Sequence, residues 1–584
     1  KTRLESSDLP WRDEPFATAV KMAAALDGFP RHPQMHPCGV VLSRDPILDL
    51  TPVFHSAKGY PTTHFDMDAV EAVGLVKMDI LAQAGLAVMR DATAMLRERG
   101  VEIDLKELEP WEDSAIWEMV ARGEARGVHH IESPAMTSLA KMSEVRDIDR
   151  LIALVSVIRP GAANNAKKVQ FARRLHGLEP VEYPHPSLEP VLASTYGVVA
   201  YEEHILQICE AFAGMDAGRA DLLRRALTKE QPEKITPLGR DFCEAARALG
   251  RSQADIEAVW TLVAGFQGYA FCRAHSTAYG VEAYQAAYLK RYHPAEFLSC
   301  VLTHGKGFYD RLTYTLESRR LGMTFAPPDV NESSDAFSVE REAGSGKRIR
   351  VPRTVIKEMT EATLERWRAE RARGRFDSIE DFYARVRPGL VEMTNLVRLG
   401  AFDSFGAART EQFWKLRHLA NWPMERGQAM LFSREPFRLP EVPLAEPTRL
   451  ERLRAEMELL SFTVSGHPLE LYPDIPWSTY CPVAELGRHR GERVTIAGLI
   501  IADRLFHQVD GREMKFLTIC DPSGMIEAEL FASVYRRYGL TTVRYPVVEI
   551  TATVQPFEQT KSFSLNVQEV RRPRGWTGWA ADAA

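Results

Sequence analysis

Two charged residues, Lys77 and Asp79, interrupt the largely apolar stretch EAVGLVKMDILAQAGL. In an extended strand Val76, Met78 and Ile80 fall on one face, and the two charges fall on the other. The apolar face predicts contact with a core, and the opposite face then presents a cation beside a carboxylate. Such a pair belongs either to a solvated or ion-paired strand face or to a metal-binding site at a strand end.

A second group of charges lies in the segment RPGAANNAKKVQFARRLHG, which contains no acidic residue. Its five cations are Arg159, Lys167, Lys168, Arg173 and Arg174. A local positive patch in a chain of net charge -6 is what a phosphate-tracking surface needs. A solvated helix face explains the same pattern equally well.

The segment RADLLRRALTKE predicts an amphipathic helix, because apolar residues recur at i, i+3 and i+4 from Leu223. Arg225 and Lys229 lie four residues apart on another face, with Arg224 beside them. Arginine offers forked hydrogen bonds and lysine a point charge, so this face could hold a triphosphate. Many surface helices carry the same pattern.

The segment FCRAHSTAYG places Arg273 and His275 just before a predicted helix. Both side chains can donate hydrogen bonds to phosphate. Tyr284, Tyr288 and Tyr292 follow at i, i+4 and i+8, a stripe that is more typical of a core than of a binding site.

Composition sets broad limits on the class of protein. A length of 584 residues predicts several domains, and 45% hydrophobic with 26% charged residues is ordinary for a globular chain. The seven cysteines are scattered without a CxxC pair, so neither a zinc module nor a disulfide framework is indicated. No apolar run approaches 18 residues. We therefore expect a cytoplasmic protein without a membrane span.

The pattern of elements predicts a multidomain α+β chain. Short strands and helices mix up to about residue 90, helical periodicity dominates from about 91 to 325, and short helices return at 350–406. Residues 435–490 are rich in proline. Residues 491–570 change to a period of two, with five candidate strands and a DPSG turn. Five short strands favour an OB-fold barrel, with another small all-β domain as the alternative.

Seven segments also occur in the order found in one protein family: HPCGVVLS, GLVKMDIL, IRPG, YEEHILQI, ADLLRRALTK, FCRAHSTAYGVEAYQAAYLKRYHPAEF and PPDVNESS. Together they resemble the bacterial C-family DNA polymerases, which are the catalytic alpha subunit of DNA polymerase III and its error-prone paralogue. The resemblance covers nearly the whole chain, and seven ordered motifs are far more specific than any one of them.

The resemblance implies a partial mixed α/β palm, large and mostly helical fingers, a helix-hairpin-helix region and a C-terminal OB-fold barrel. The implied boundaries are 1–85 for the end of the thumb and the last part of the palm, 86–330 for the fingers, 331–435 for the tandem helix-hairpin-helix and clamp-binding region, 436–490 for a connector, 491–572 for the OB domain and 573–584 for a tail.

The resemblance also assigns roles to the charged residues. The motif GLVKMDIL matches the palm strand with the third catalytic carboxylate, so Asp79 is implied to be a catalytic Mg²⁺ ligand and Lys77 to lie near the nucleotide phosphates. The family uses two Mg²⁺ ions about 4 Å apart to activate the primer 3′ hydroxyl and neutralise pyrophosphate. The implied nucleotide-binding residues are Lys77, Arg159, Arg224, Arg225, Lys229, Arg273 and His275. Tyr201 and Glu202 match a YQE-like motif of uncertain role.

Other residues are implied to bind DNA or a protein partner. Lys167, Lys168, Arg173, Arg174 and Gly400 are the expected DNA contacts. The first helix-hairpin-helix, IRVPRTVIKEMTEA, lacks the usual hairpin glycines, whereas LVRLGAFDSFG keeps one. The segment QAMLF resembles the sliding-clamp pentapeptide, with Gln428 as polar anchor and Leu431 and Phe432 filling an apolar pocket. The expected partners are primer–template DNA, dNTP, the sliding clamp and other replication or mutasome subunits.

The sequence offers Asp66 and Asp68 as an apparent carboxylate pair upstream of Asp79. We interpret one of them as a helix cap instead, because the family's pair lies much further upstream. We therefore expect a C-terminal portion of a longer polymerase, one that does not extend primers alone.

The lack of a further C-terminal domain favours the error-prone, lesion-bypass type, whereas the clamp motif favours the replicative one, and we lean to the former. The alternatives are a non-catalytic DNA- and clamp-binding scaffold and an unrelated OB-fold nucleic-acid binder.

Overall fold

A computed structural model describes residues 13–158, 165–229, 231–266, 272–341, 346–420, 445–507 and 511–576. The chain divides into two compact units, residues 1–83 and 84–584, and each has its own secondary structure. No helix in these ranges is long and apolar enough to cross a membrane.

The first unit contains two small antiparallel sheets. Its elements are α1 (Phe16–Ala25), β1 (Gly39–Leu42), β2 (Val53–His55), β3 (Pro61–Thr63), α2 (Met67–Ala72) and β4 (Val76–Asp79), with a 3-10 turn at Ile47–Asp49. Strand β1 pairs with β4 and strand β2 with β3. The strand that the alternation of the sequence predicted around Asp79 is thus confirmed as β4.

Asp66 begins helix α2 as its N-cap. Its side-chain oxygen accepts a hydrogen bond of 2.9 Å from the Ala69 amide, and Asp68 lies in the first turn. A capping carboxylate of this kind satisfies an amide that the helix itself leaves free. The interpretation of this carboxylate as a cap is confirmed.

The prediction that the apolar face of β4 contacts a core is wrong for the described residues. Val76, Met78 and Ile80 are 58%, 50% and 63% exposed, whereas the Lys77 side chain on the opposite face is only 21% exposed. Strand alternation tells which residues share a face but not which face is covered. The β1–β4 pair is a two-stranded sheet, and no described element covers its apolar side.

The second unit begins with a large helical region. Its helices are α3 (Ala84–Arg97), α4 (Ser114–Ala121), α5 (Pro134–Ser143), α6 (Ile148–Val157), α7 (Asn165–Leu175), α8 (Glu189–Leu192), α9 (Glu202–Ala213), α10 (Ala217–Thr228), α11 (Pro232–Ala248), α12 (Gln253–Ala264), α13 (Arg273–Tyr292), α14 (Pro294–His304) and α15 (Arg311–Arg320). The 3-10 turns of this region are Leu105–Leu108, Pro186–Leu188 and Ala193–Thr195. The predicted apolar stripe of α10 is buried against neighbouring helices, with Leu223 and Leu227 fully inaccessible.

A three-stranded sheet and five helices follow. They are β5 (Thr324–Ala326), β6 (Ser338–Arg341), β7 (Lys347–Arg350), α16 (Glu361–Arg373), α17 (Ile379–Val386), α18 (Leu390–Leu399), α19 (Arg409–Ala420) and α20 (Arg449–Leu460), with 3-10 turns at Arg353–Val355, Asp403–Phe405, Pro468–Leu471, Trp477–Thr479 and Val483–Arg488. The proline-rich stretch is folded from residue 445 onward, because α20 buries Leu453, Leu459 and Leu460 in the main core.

The chain ends in a closed five-stranded barrel of β8 (Arg493–His507), β9 (Glu513–Asp521), β10 (Gly524–Leu530), β11 (Val547–Pro556) and β12 (Phe563–Arg571), with α21 (Ala532–Tyr538) and α22 (Thr541–Arg544) between β10 and β11. The strand order is β10-β12-β11-β8-β9, and only the β10–β12 pair is parallel. This is the topology of an OB-fold, so the predicted five strands and the turn at 521–524 are confirmed.

The barrel is tied to the helical region by polar contacts. Glu527 on β10 accepts hydrogen bonds from the Tyr309 hydroxyl at 3.0 Å and the Arg126 guanidinium at 3.4 Å. The Arg504 guanidinium lies 3.8 Å from the centre of the Phe308 ring and donates to the Phe308 carbonyl oxygen. These contacts join residues far apart in the sequence and hold β8 and β10 of the barrel against the helical region.

A buried ion pair anchors the C-terminal end of helix α13. The Lys290 ammonium donates to the carbonyl oxygens of Glu124 and Arg126, each at 2.8 Å, and to the Glu317 carboxylate at 2.7 Å. Burial alone would raise the pKa of Glu317, but the charges of Lys290 and Arg320 lower it below its ordinary value. The stability that Glu317 contributes is therefore complete above pH 4.5 and is lost as the pH falls below that value.

We expect Lys290→Met to destabilise this anchor by about 1–3 kcal/mol, because it leaves two buried carbonyl oxygens without their donor, whereas Arg320 still donates to both oxygens of Glu317. Hydrogen exchange of the amides of α13 and α15 measures the change in local opening free energy. Arg291→Met, at the exposed neighbouring position, is the matched control and should change exchange by less than about 0.5 kcal/mol. Equal effects of the two substitutions would contradict the role of the buried pair.

Candidate functional site

Asp79 lies at the end of β4, opposite Gly39 of β1 in the antiparallel register. The Lys77 ammonium contacts both carboxylate oxygens, at 2.7 Å and 2.8 Å. The hydrogen bond from Lys77 lowers the pKa of Asp79 below its ordinary value, so the carboxylate stays ionised. Its side chain is 43% exposed and therefore accessible to a ligand.

His36 lies beside this carboxylate, with its Nδ1 3.7 Å from an oxygen of Asp79. The same nitrogen accepts hydrogen bonds from the amides of Gly39 at 2.8 Å and Cys38 at 3.3 Å. A ring nitrogen that accepts two amide hydrogen bonds carries no proton. His36 therefore does not donate to Asp79 through Nδ1, and Lys77 is the cation that faces the carboxylate.

Gly39 allows this close approach. A methyl group at position 39 would lie 2.9 Å from Nδ1 of His36, 3.1 Å from Cε of Lys77 and 3.4 Å from an oxygen of Asp79. The first two separations are too short for comfortable contact. A glycine at this register position therefore permits the arrangement of the three polar side chains around it.

The Asp79 carboxylate can supply one oxygen ligand to a hard cation such as Mg²⁺. Mg²⁺ prefers oxygen ligands, keeps several waters and is commonly held by one or two carboxylates together with substrate phosphates. Within the described ranges there is no cluster of three His, Cys, Asp or Glu side chains that could hold a metal ion. Asp79 could therefore contribute to a Mg²⁺ site but would not complete one.

In the second unit the structure brings the predicted Arg224 together with Glu202. The Arg224 guanidinium on α10 contacts the Glu202 carboxylate on α9 at 2.5 Å and Asp221 at 2.9 Å. Its side chain is only 17% exposed. The hydrogen bond from Arg224 lowers the pKa of Asp221, which keeps that carboxylate charged. Arg224 therefore joins two helices rather than standing free.

Arg225 and Lys229 are the accessible cations of the same helix end. The Arg225 side chain is 65% exposed and pairs with Asp221 at 2.8 Å. Lys229, which caps the C-terminus of α10, is exposed and has no ion pair with a described residue. An anion approaching α10 therefore meets these two side chains before it meets Arg224.

Arg273 begins helix α13 beside the start of α9. Its backbone amide donates to the Glu203 carboxylate at 2.8 Å, and its guanidinium lies 5.8 Å from the centre of the Tyr201 ring. Burial raises the pKa of the Tyr201 hydroxyl to about 12, so that group stays protonated. The N-terminus of a helix attracts anions, and here a carboxylate from the chain occupies that position.

His275 lies in the first turn of α13, in a cluster of rings. Its ring centre is 4.0 Å from that of Tyr279, which stacks on His130 at 3.7 Å. Burial and the neighbouring His130 lower the pKa of His275 below its ordinary value. His130 in turn lies 3.1 Å from the buried carboxylate of Glu282. His275 therefore stays largely uncharged at neutral pH, unlike the cation expected of a phosphate contact.

The cations of α7 have partners that the sequence pattern did not reveal. Arg173 pairs with Glu558 on the barrel, and Arg174 pairs with Glu179 at 3.2 Å and donates to the Tyr196 carbonyl oxygen. Arg173 and Arg174 therefore face carboxylates of the chain itself, and their role in DNA binding stays a prediction.

Lys168 faces a cavity between the helical region and the barrel. It donates to the Ser138 hydroxyl at 3.1 Å, and burial lowers the pKa of its ammonium. Its predicted contact with DNA also stays a prediction.

Gly400 ends helix α18 in a left-handed conformation, with φ of +80°. Its amide donates to carbonyl oxygens of the preceding turn, and a methyl group there would lie 2.0 Å from the Arg409 guanidinium. Arg409 is itself paired with Asp403 at 2.6 Å. The glycine is thus required by the helix end, and contact of this position with DNA stays a prediction.

Some predicted site residues lie outside the described residues: Arg159, the side chain of Lys167, and the clamp-motif residues Gln428, Leu431 and Phe432. Their roles also stay predictions. Conversely, Glu203, Asp221 and Gly39 have partners at these sites although no sequence motif pointed to a role for them. Glu203 gains its partner only where α9 meets α13, whereas Asp221 pairs with Arg224 and Arg225 of its own helix, at a spacing that the sequence already shows.

Three family models match the chain in the order of its elements. The bacterial DNA polymerase III alpha NTPase domain matches residues 2–82, the bacterial DNA polymerase III alpha subunit finger domain matches residues 85–250, and a helix-hairpin-helix motif matches residues 322–412. The first two matches meet where the chain divides into its two units.

Curated relatives match over nearly the whole chain. The DNA polymerase III subunit alpha of Thermus aquaticus is 34% identical over 90% of this chain and 44% of its own length. That of Aquifex aeolicus is 30% identical over 95% of this chain and 47% of its own. The error-prone DNA polymerase of Symbiobacterium thermophilum is 32% identical over 97% of this chain and 56% of its own.

The chain therefore spans about half the length of the curated relatives it matches. The barrel topology, the ordered motifs and these matches agree with one another. The chain belongs to the family that comprises the bacterial DNA polymerase III alpha subunit and the error-prone DNA polymerase.

Proposed function

We propose that this chain takes part in template-directed DNA synthesis, in which the nucleotidyl group of a dNTP is transferred to a primer 3′ hydroxyl and pyrophosphate leaves, with the help of two Mg²⁺ ions. The observation that carries the proposal is the ionised, accessible carboxylate of Asp79, placed at a strand end with Lys77 across both its oxygens. The names of the relatives support the same reaction class. In this proposal Asp79 is the catalytic carboxylate of the chain.

Asp79 would bind Mg²⁺ through a carboxylate oxygen, and the bound ion would polarise the phosphoryl group and lower the pKa of the attacking hydroxyl. Lys77 now contacts both oxygens of Asp79, so it must release at least one of them when the carboxylate binds a cation. Its ammonium is then available to a phosphate oxygen of the nucleotide. The pair thus keeps a charge-balanced site before substrate binds.

Arg225, Lys229 and Arg273 are the residues we propose to bind the triphosphate, with Arg159 as a further contact. The first three are exposed cations at the ends of α10 and α13. Arg224 acts as a positioning residue, because it is held between Glu202 and Asp221 and fixes α10 against α9. His275 would hydrogen-bond to the nucleotide as a neutral ring.

We propose primer–template DNA, dNTP and the sliding clamp as partners of this cytoplasmic enzyme, together with other replication or mutasome subunits. The helix-hairpin-helix match and the OB-fold barrel support contact with DNA. The clamp contact rests on the QAMLF segment alone. We lean to the error-prone rather than the replicative type, although relatives of both names match.

Primer extension with Mg²⁺ and the four dNTPs tests the role of Asp79. We expect the chain alone to bind primer–template without extending it, because one carboxylate does not complete a two-metal site. If the chain does extend primers, we expect Asp79→Ala to abolish extension, whereas Asp68→Ala, a change in the first turn of α2, should leave it within about twofold. Extension that survives Asp79→Ala would contradict the catalytic role, and failure to bind primer–template would contradict the DNA-handling role.

Substitutions on α10 separate nucleotide binding from positioning. We expect Arg225→Gln to weaken binding of a fluorescent dNTP by about tenfold, equivalent to about 1.4 kcal/mol, without lowering the melting temperature. Arg224→Gln should lower the melting temperature as well, because it leaves Glu202 without its cation. Arg219→Gln is the matched control, since Arg219 is exposed on the same helix and pairs with Asp241.

If Arg219→Gln weakens binding as much as Arg225→Gln does, the loss reflects net charge rather than a triphosphate site at the end of α10. If Arg224→Gln weakens binding without changing the melting temperature, Arg224 is a direct contact rather than a positioning residue.

A further inference from the structure

Two exposed aliphatic side chains stand at one corner of the barrel. Leu540 is 81% exposed and Val543 is 76% exposed, the two highest values among the large hydrophobic side chains that the structure describes. They are three residues apart: Leu540 is the N-cap of α22, and Val543 lies within that helix. Single exposed aliphatic residues are ordinary on a protein surface. Two neighbouring aliphatic side chains that are both this exposed are less common and need an explanation.

The local fold presents these side chains outward. Helix α21 packs Val534, Tyr535 and Tyr538 against the barrel core, and α22 buries Thr542. The Thr542 hydroxyl accepts a hydrogen bond of 3.0 Å from Lys515 and donates to the Gly539 carbonyl oxygen at 2.7 Å. Because Tyr538 and Thr542 face the barrel, Leu540 and Val543 point away from it and face solvent.

Three arginines surround the two aliphatic side chains: Arg536, Arg537 and Arg544, all of them exposed. The neighbouring ion pairs of the barrel use other cations, namely Lys515 with Asp503 and Arg571 with Glu569. None of the three arginines pairs with a carboxylate among the described residues. The five residues 536, 537, 540, 543 and 544 are called the arginine corner below.

The chemistry of the arginine corner limits the classes of partner that it can bind. Single-stranded nucleic acid binds cationic surfaces that also offer free aromatic faces for stacking. The rings nearest this corner, Tyr538 and Tyr545, pack against the barrel core and lie under the guanidinium groups of Arg537 and Arg544, so its most exposed apolar side chains are aliphatic. A membrane surface needs a longer amphipathic helix than α21 or α22 provides. A second copy of this chain related by a twofold axis would bring arginine against arginine, which is repulsive.

We infer that the arginine corner docks an acidic polypeptide segment that carries an aliphatic or aromatic anchor. Three guanidinium groups without ion-pair partners match carboxylates in forked geometry, and Leu540 and Val543 offer an apolar contact for the anchor. This combination of a small apolar centre and a charged rim is that of a peptide-binding surface. The inference does not depend on the proposed polymerase activity.

Fluorescence anisotropy with a labelled synthetic peptide of alternating Glu and Leu residues tests the inference on the full chain. We expect saturable binding that weakens with added salt, since the contact is partly ionic. Arg536→Glu combined with Arg537→Glu should weaken binding at least tenfold, and Leu540→Ser combined with Val543→Ser should do the same. The altered side chains are exposed, so the barrel should keep its melting temperature.

Two matched controls separate this corner from general surface effects. Arg247→Glu reverses an exposed charge on α11, and Leu48→Ser removes a side chain that is 72% exposed in the first unit. Neither should change binding by more than about twofold. A peptide of Glu and Ser without the Leu anchors should bind at least tenfold more weakly.

The inference is overturned if the Glu–Leu peptide does not bind, or if it binds equally well after both double substitutions. It is also overturned if the same four substitutions leave peptide binding intact but abolish binding of oligothymidine or of phosphatidylserine vesicles. In that case the corner serves a nucleic acid or a membrane surface instead.

Discussion

The buried contact between Lys290 and Glu317 is the constraint on which the position of helix α13, and with it the proposed nucleotide contact Arg273, depends. It fixes helix α13 at its C-terminal end, where the ammonium meets two carbonyl oxygens and a carboxylate in a dry environment. Arg273 stands 17 residues earlier on the same helix, about 26 Å away at 1.5 Å per residue. A rigid helix with one end locked cannot slide along its axis, so the position of Arg273 beside Glu203 and Tyr201 follows from an interaction far from the surface.

Several of the cations predicted to bind nucleotide or DNA, in either unit, are already opposite a carboxylate. Lys77 faces Asp79, Arg224 faces Glu202 and Arg173 faces Glu558. A phosphate ligand must therefore compete with internal anions for these cations, which lowers intrinsic affinity but holds each side chain in one geometry before the ligand arrives. Arg225 also faces a carboxylate, that of Asp221, but it is exposed, and Lys229 is exposed without an ion pair to a described residue, so these two side chains can move toward an incoming anion at little cost.

Local pattern was enough to predict much of the fold, including the five barrel strands, the strand at Asp79, the cap at Asp66 and the buried stripe of α10. These features depend on the period of apolar residues or on one side chain meeting a nearby amide. The environment of the site was not predictable in the same way. The exposure of Val76 and Met78 depends on what covers a sheet, the proximity of Gly39 to Asp79 depends on strand register, and the partner of Arg173 lies 385 positions away.

The contacts that tie the barrel to the helical region also have a consequence for the time course of biosynthesis. The Arg126 guanidinium donates to the Glu527 carboxylate, and the two residues are 401 positions apart in the sequence. This ion pair can form only after the intervening chain has been synthesised. At about 5–20 residues per second, a ribosome needs about 20–80 seconds to make the intervening chain. During that interval the Arg126 guanidinium of the helical region is solvated and not paired with Glu527. The contacts between the barrel and the helical region can therefore form only late, after the final strands emerge from the ribosome. The helical core can fold well before then.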